Sequence, residues 1–372
     1  MLDSTAFQSP VTGCLPFLLA GGQGSRLHEL TSTECKPAVP FAGAGRIVDF
    51  VMGLVAKAQF DRMVVATQYR PETLSRHLTD TWHGNFENGV HLRDGAQVAP
   101  KNGGYRGTAD AVAANMAEID SIAPREIMVL AGDHVFDMDL QQMLAKHRET
   151  GALATVAATP VPRAQASAFG VLDADQAGKV TAFVEKPANP PAMIGDENRA
   201  LASMGIYVFD WQWLRKALMD DLRDDASAHD FGHNIMPRAM DEGSLYLHAL
   251  PDRADGQPSY WRDVGTLDAY RLSQLDFLGG EPPISCPRRA AIAPQLADES
   301  SVALPGARVG KNCRISNAIL GPGVALPDNT VIGEDPDEDA RWFRRTDQGT
   351  VLVTQDMLAQ REDKRAVFHP VM

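Results

Sequence analysis

The sequence predicts an α/β protein: a doubly wound, mixed but mostly parallel sheet followed by a short left-handed parallel β-helix. Three observations carry that expectation. Apolar runs of strand length alternate with stretches of helical period from residue 15 to about residue 278, as repeated strand–helix–strand units require. The first of these runs, 15–20, breaks abruptly at Gly21-Gly22, the kind of strand exit at which open sheets present ligands. Towards the C-terminus small or apolar residues recur every six positions, at Ala297, Ala303, Val309 and Ile315, and again at Leu320, Leu326 and Ile332 after a one-residue shift. That period belongs to hexapeptide coils with three short strands each.

A chain of 372 residues is long enough for two domains. The expected division is a domain over 1–278, a linker rich in Pro and Gly over 279–296, and a β-helix with its tail over 297–372. A net charge of -13 argues against nucleic acid or an anionic membrane as partner, so any basic cluster is local and ligand-sized. The cysteines Cys14, Cys35, Cys286 and Cys313 show no CxxC spacing, which argues against a thiolate zinc site and fits a reduced cytoplasm. With no signal-like start and no run of 18 apolar residues, a cytoplasmic protein is expected, residues 1–13 being a loose lead-in.

The elements follow in order. Residues 15–20 read as a buried parallel strand. Gly21, Gly22 and Gly24 then make a turn, with Arg26 beyond it and Lys36-Pro37 closing the segment. Glycines let backbone N–H groups converge on phosphate, and an arginine adds permanently charged planar donors; a tight turn with a solvent-facing Arg is the other reading. Neither GxGxxG nor GxxxxGK[ST] is present, which speaks against a Rossmann dehydrogenase.

A helix is expected over 45–58, with Asp49 inside its pattern as a cap or a surface carboxylate, and a strand over 62–66. Residues 82–104, rich in Gly and Asn, read as a long loop. It runs into a helix that Thr108 and Asp110 cap, with Ala111, Val112 and Met116 on its buried side. The strand 126–130 ends in AGDHVF, which puts Asp133 at the carboxyl edge of the sheet. Next come a helix over 140–150, a strand over 152–159 and a crossover through Phe169-Gly170-Val171. A strand over 179–184 leads into EKPANPP, and one over 201–209 into a helix over 211–219. The acidic run 220–230 reads as a solvated linker. Residues 229–240 return to helix, and YWRDVGTLDAY supplies a further acid, Asp263.

LAGGQGSRL followed by KPAVPF resembles the signature of sugar-nucleotide pyrophosphorylases. With GRIVDF, TQYR, YRGTADAV, LAGDHVF, SAFGV, FVEKPANPP, LASMGIYVF, SAHDFG, YWRDVGTLDAY and VIGEDPDEDARWFRR in family order, the chain is similar to the glucose-1-phosphate adenylyltransferase (ADP-glucose pyrophosphorylase) family of bacterial type. The likeness covers about 15–278 closely and resumes over 297–360. It implies a nucleotide-diphospho-sugar transferase fold and transfer of the adenylyl group of ATP to glucose 1-phosphate, giving ADP-glucose and pyrophosphate for glycogen or α-glucan. It also implies Mg²⁺ as cofactor and a homo-oligomer, tetramer or dimer.

The same resemblance assigns residues. Asp133 and Asp263 bind the metal, Asp133 being the one most closely tied to catalysis. Arg26 meets the triphosphate beside Gly21, Gly22 and Gly24, and Lys36 lies near the phosphates. Lys186 grips the phosphate of glucose 1-phosphate, Glu185 and Ser203 bond its hydroxyls, Gly170 admits its ring, and Tyr105 touches substrate. Arg26, Asp133 and Lys186 form the expected catalytic set. Two anionic reactants do need such cations and a metal, and no covalent intermediate.

The chain also departs from the pattern. Thr33-Glu34 stand where many bacterial members carry a basic pair for a sugar-phosphate activator, so activation by fructose 1,6-bisphosphate is expected to be weak or absent. Gln23 replaces a frequent Arg, Gly104 a common aromatic, and the C-terminal coils are fewer. Two other functions stay open on sequence: the same chemistry with another nucleoside triphosphate or sugar 1-phosphate, and a non-catalytic regulatory subunit.

Overall fold

The computed structural model describes residues 11–43, 45–252, 258–278, 281–287 and 299–368, with side chains as far as Lys364. Most of the expected lead-in, much of the expected linker and Ala297 lie outside the described residues. The chain forms two compact units that do not follow chain order. The first comprises Met1–Gly22, Val51–Gly132 and Phe136–Trp261; the second comprises Gln23–Phe50, Asp133–Val135 and Arg262–Met372.

The first unit is built on a nine-stranded mixed sheet. Its strands are β1 (Cys14–Ala20), β2 (Met63–Thr67), β3 (Val90–Asp94), β4 (Glu126–Ala131), β5 (Ala154–Pro162), β6 (Gly170–Ala174), β7 (Val180–Glu185), β8 (Arg199–Asp210) and β9 (Leu245–Ala249). They lie in the order β7-β6-β8-β4-β1-β2-β3, with β5 on the other edge of β8 and β9 beyond β5. Helices occupy the connections, among them Pro71–Trp82, Leu140–Thr150 and Trp211–Asp221. Asp139 and Asp210 cap the last two by accepting from backbone N–H groups of the first turn.

Strands β1, β2 and β4 read as unbroken apolar runs because both faces are buried; Phe17, Val64 and Val129 are fully enclosed. Parallel pairing sets Phe17 beside Val64, Met63 beside Val90 and Cys14 beside Glu126. The chain therefore runs outward through β1, β2 and β3, then returns to lay β4 on the opposite side of β1. This reversal makes the carboxyl ends of β1 and β4 the switch point of the sheet, where ligands bind. Strand β8 runs antiparallel to β4, β5 and β6, and its register slips between Ser203 and Tyr207.

Two expectations need correction here. Residues 82–104 are not one loop: they hold the edge strand β3 and a short helix at Gly95–Val98. The alternation in VHLRD is that of a half-buried edge strand, masked by the Gly and Asn around it. The acidic run is exposed over much of its length, but it ends in a built turn. The buried His229 ring meets Asp221 at 2.7 Å, and Ser227 Oγ donates to the same carboxylate at 2.6 Å.

The second unit centres on the helix Leu267–Leu278. Phe41, Phe50, Tyr270 and Phe277 pack edge to face with centroids 5.4–6.0 Å apart. Gln274 takes Ala42 N–H and donates to Pro40 O, which pins the KPAVPF segment to this helix. The C-terminal strands are the expected coils. Val302 pairs in parallel with Ile319, Arg308 with Ala325 and Arg314 with Val331. The repeat between coils is 17 residues, which accounts for the one-residue shift in the pattern. Ala318–Leu320 also pairs in parallel with Val351–Val353, and that strand runs antiparallel to Arg344–Arg345. Of the residues on the six-residue period, Val309 is exposed, at 40%; among the described residues no strand pairs with its other edge.

Candidate active site

The predicted residues fall into two groups, one in each unit. In the second unit, Gly24 takes the left-handed φ of 69°, and a Cβ there would stand 2.6 Å from Lys36 Cβ. Only glycine lets the turn close onto Lys36. The Lys36 side chain is 5% exposed, and its ammonium donates to Asp133 Oδ2 at 3.0 Å and to Asp263 Oδ1 at 2.9 Å. Two carboxylates 130 residues apart in sequence thus hold one nitrogen. Asp133 leads into the strand His134–Phe136 and Asp263 ends the strand Trp261–Asp263, and these two strands pair.

Arg26 lies at the margin of this cluster, 62% exposed, with NH2 3.9 Å from Asp263 Oδ2. A Cβ at Gly265 would come within 2.8 Å of that nitrogen, so the glycine makes room for the guanidinium. His134 Nε2 is 3.7 Å from Asp133 Oδ1 and 3.8 Å from Asp263 Oδ1. Burial works against charge on both Lys36 and Asp133, and their mutual attraction outweighs it. The Lys36 ammonium is raised above its ordinary range, with Asp263 contributing. The Asp133 carboxyl is lowered to about 2, with His134 assisting.

This donor set fits Mg²⁺ bound together with a polyphosphate. Two carboxylates converge on one cation, and Mg²⁺ takes its remaining ligands from water and phosphate oxygens. Among the described residues no group of three or more His, Cys, Asp or Glu is arranged to hold a metal by itself.

The remaining predicted residues lie in the first unit. Gly21 and Gly22 leave the carboxyl end of β1, Gly22 facing open space. Glu185 ends β7, and its Oε1 accepts from Lys186 Nζ at 2.6 Å. Lys186 sits at φ 46°, a strained setting for a side-chain-bearing residue, and its amine is largely exposed. A Cβ on Gly170 or Gly232 would fall 2.8 or 2.5 Å from Glu185 Oε2, so these glycines cradle the carboxylate. Ser203 is buried at the register slip of β8, with Oγ 3.5 Å from Tyr207 Oη. Tyr105 has its hydroxyl engaged by Arg93 O and Asn115 Nδ2, both at 3.0 Å, and its backbone gripped by the Gln68 amide.

Two secondary expectations resolve differently. Asp49 accepts from Arg46 N–H at 2.8 Å and so takes the cap reading. Thr108 does not cap its own helix: its hydroxyl donates to Asp230 Oδ2 at 2.9 Å and accepts from Phe231 N–H at 3.0 Å. At the helix start Asp110 Oδ2 accepts from Arg106 N–H at 2.9 Å, and His229 O accepts from Ala109 and Asp110 N–H. Glu34, at the reversed-charge position, pairs with Arg46 at 2.9 Å. His134, Gly232 and Gly265 lie against the predicted residues and are the ones that sequence reasoning missed.

Comparison with known proteins agrees with the sequence resemblance. The nucleotidyl transferase family matches residues 15–278, and the family described as GlmU-like, C-terminal hexapeptide matches residues 289–353. A glucose-1-phosphate adenylyltransferase of Jannaschia sp. (strain CCS1) is 39% identical, over 94% of this chain and 96% of its own. One from Cereibacter sphaeroides is 38% identical, over 93% and 96%. One from Novosphingobium aromaticivorans is 37% identical, over 96% and 100%. The first of these alignments runs over 407 positions, more than the 372 residues of the chain, so positions of the relative lack counterparts here. At such identity across nearly the whole of both sequences, the chain belongs to the glucose-1-phosphate adenylyltransferase family.

Proposed function

We propose that this protein transfers the adenylyl group of ATP to α-D-glucose 1-phosphate, forming ADP-glucose for glycogen or α-glucan and releasing pyrophosphate. The observation that carries the reading is the convergence of Asp133 and Asp263 on Lys36 beside Arg26. A phosphate oxygen of the sugar attacks the α-phosphorus of ATP; the new O–P bond forms as the bond to the pyrophosphate oxygen breaks. The attacking oxygen is already anionic, so the residues have charge to neutralise and atoms to align rather than a proton to remove.

In this reading Arg26 and Lys36 stabilise negative charge on the triphosphate and the leaving pyrophosphate, with Gly21, Gly22 and Gly24 leaving room for the phosphates. Asp133 and Asp263 would hold Mg²⁺, which supplies Lewis-acid neutralisation of the phosphate oxygens. Lys186 meets the phosphate of glucose 1-phosphate; Glu185 and Ser203 bond sugar hydroxyls, Gly170 admits the ring and Tyr105 lines the substrate. The expected chain division, a nucleotidyltransferase domain over 1–278, a linker over 279–296 and a β-helix domain over 297–372, is kept as the division of labour. Cysteines kept as thiols, such as the buried Cys14 and Cys35, support a cytoplasmic setting. Among the described residues no helix is long and apolar enough to cross a membrane. The coil edges that no strand covers among the described residues support a homo-oligomer.

The test is Asp133→Asn, assayed by pyrophosphate release with glucose 1-phosphate and each of ATP, UTP, dTTP and GTP. Wild type is expected to prefer ATP, and the variant to lose at least about 10²-fold in turnover while remaining folded. An unchanged rate would remove Asp133 from the chemistry, and preference for another triphosphate would reassign the substrate.

A further inference from the structure

The turn that carries Arg26 is under tension. Residues Ser25–Thr31 form two tight helical turns joined at His28, whose φ of 52° and ψ of -120° lie in a region that residues with a Cβ rarely adopt. Such a backbone persists only where surrounding contacts hold it. Within the turn, Thr31 Oγ1 donates to Gly24 O at 2.9 Å and to His28 O at 3.1 Å. From far along the chain, Arg344 sets its planar fork on Glu29, the residue after His28. Nε reaches Oε2 at 2.8 Å and Oε1 at 3.0 Å, and NH2 reaches Oε1 at 2.6 Å. Burial pushes the Glu29 carboxyl up, but Arg344 outweighs it and holds the group below its usual range.

Arg344 is itself well anchored. Arg344–Arg345 pairs with Val351–Val353, whose residues are fully buried. The turn between these strands grips the helix Leu267–Leu278. Thr346 Oγ1 donates to Asp268 Oδ1 at 2.8 Å, and the buried Arg271 donates from Nε to Thr350 Oγ1 at 3.0 Å and from NH1 to Ser300 O at 2.6 Å. That helix begins just after Asp263, so one hairpin braces both the turn bearing Arg26 and the helix that follows Asp263.

We infer that Arg344 is a positioning residue for Arg26, acting through Glu29, so that the C-terminal hairpin sets the geometry with which the turn meets a nucleoside triphosphate. The inference rests on the reading that Arg26 contacts the triphosphate. Without the fork on Glu29 the turn relaxes at His28, and Arg26 leaves the neighbourhood of Asp263. Glu29 is 30% and Arg344 43% exposed, and ion pairs so exposed add little to global stability. Kinetics therefore change where melting does not.

The experiment compares wild type with Arg344→Ala, Arg344→Lys, Arg26→Ala and the double variant Arg26→Ala/Arg344→Ala. It reads KM for ATP, KM for glucose 1-phosphate, kcat and the melting temperature. Arg344→Ala is expected to lower kcat/KM for ATP about tenfold with KM for glucose 1-phosphate and melting unchanged. Lysine, which keeps the charge without the fork, recovers part of the loss. In the Arg26→Ala background, removal of Arg344 costs nothing further. Wild-type kinetics in Arg344→Ala, additive losses in the double variant, or a parallel fall in all constants with melting would each overturn the inference. If Arg26→Ala alone leaves ATP kinetics untouched, the underlying reading of Arg26 fails first and takes the inference with it.

Discussion

Lys36 shows how a single residue can organise a site. Its buried ammonium is costly unless paired, and it is paired twice. Asp133, lowered to about 2, adds to stability fully above its unfolded value near 3.8; that contribution disappears only as pH falls from 3.8 towards 2. His147 acts in a milder range. Its buried ring shares a hydrogen bond of 2.9 Å with Thr155, and burial lowers it from 6.5 to about 4 in spite of the nearby carboxylates of Glu126 and Asp210. Between those two values the unfolded chain takes up a proton that the folded chain refuses, so stability declines as pH drops from 6.5 to about 4, by roughly 3 kcal/mol in all. His147→Gln, neutral throughout, is expected to flatten that part of the profile. Denaturant midpoints at pH 7 and pH 4.5 check it, and an unchanged slope in the variant would refute it.

At the scale of elements, legibility followed burial. Strands β1, β2 and β4 are enclosed on both faces and announce themselves as unbroken apolar runs, whereas β3, at an edge, writes only VHLRD between glycines and asparagines. Asp133 is legible because it follows an apolar strand, whereas Asp263 follows the exposed Arg262 and stands out only through the resemblance carried by YWRDVGTLDAY. Gly232 and Gly265 are not, since the reason for a glycine there is a side chain arriving from far along the chain: Glu185 for one, Arg26 for the other. Thr108 was misjudged for the same reason, its partners being Asp230 and Phe231. The six-residue period was readable, but the 17-residue coil emerges only from the pairing. Between coils, Ser301 Oγ accepts the buried Ala318 N–H at 3.0 Å. Ser301→Ala leaves that donor without this partner and should cost about 1–3 kcal/mol, read as a lowered denaturant midpoint; a midpoint equal to wild type would show that the bond is replaced.

For the whole molecule, the important fact is that chain order and compact units disagree. Residues 23–50 and 133–135, which carry Arg26, Lys36 and Asp133, group with everything after Trp261 and not with the sheet whose strands they follow. A chain ended at residue 278 keeps all the expected catalytic residues but loses Arg344, Thr346, Thr350 and the buried strand Val351–Val353. Such a fragment is expected to turn over at least about 10²-fold more slowly than the full chain under saturating substrates, and a fully active fragment would show that the C-terminal hairpin is dispensable.

The tie between Glu29 and Arg344 spans 315 residues, which has a consequence for how the protein is made. Glu29 and its turn are synthesised 315 residues before the arginine that steadies them. Sheet strands can pair while translation continues, since domains fold as they emerge; the turn at His28 waits for the hairpin that carries Arg344. A nascent chain would therefore carry a formed sheet and an unsteadied turn while the residues between Glu29 and Arg344 are made, and the turn would be steadied only once Arg344 has emerged.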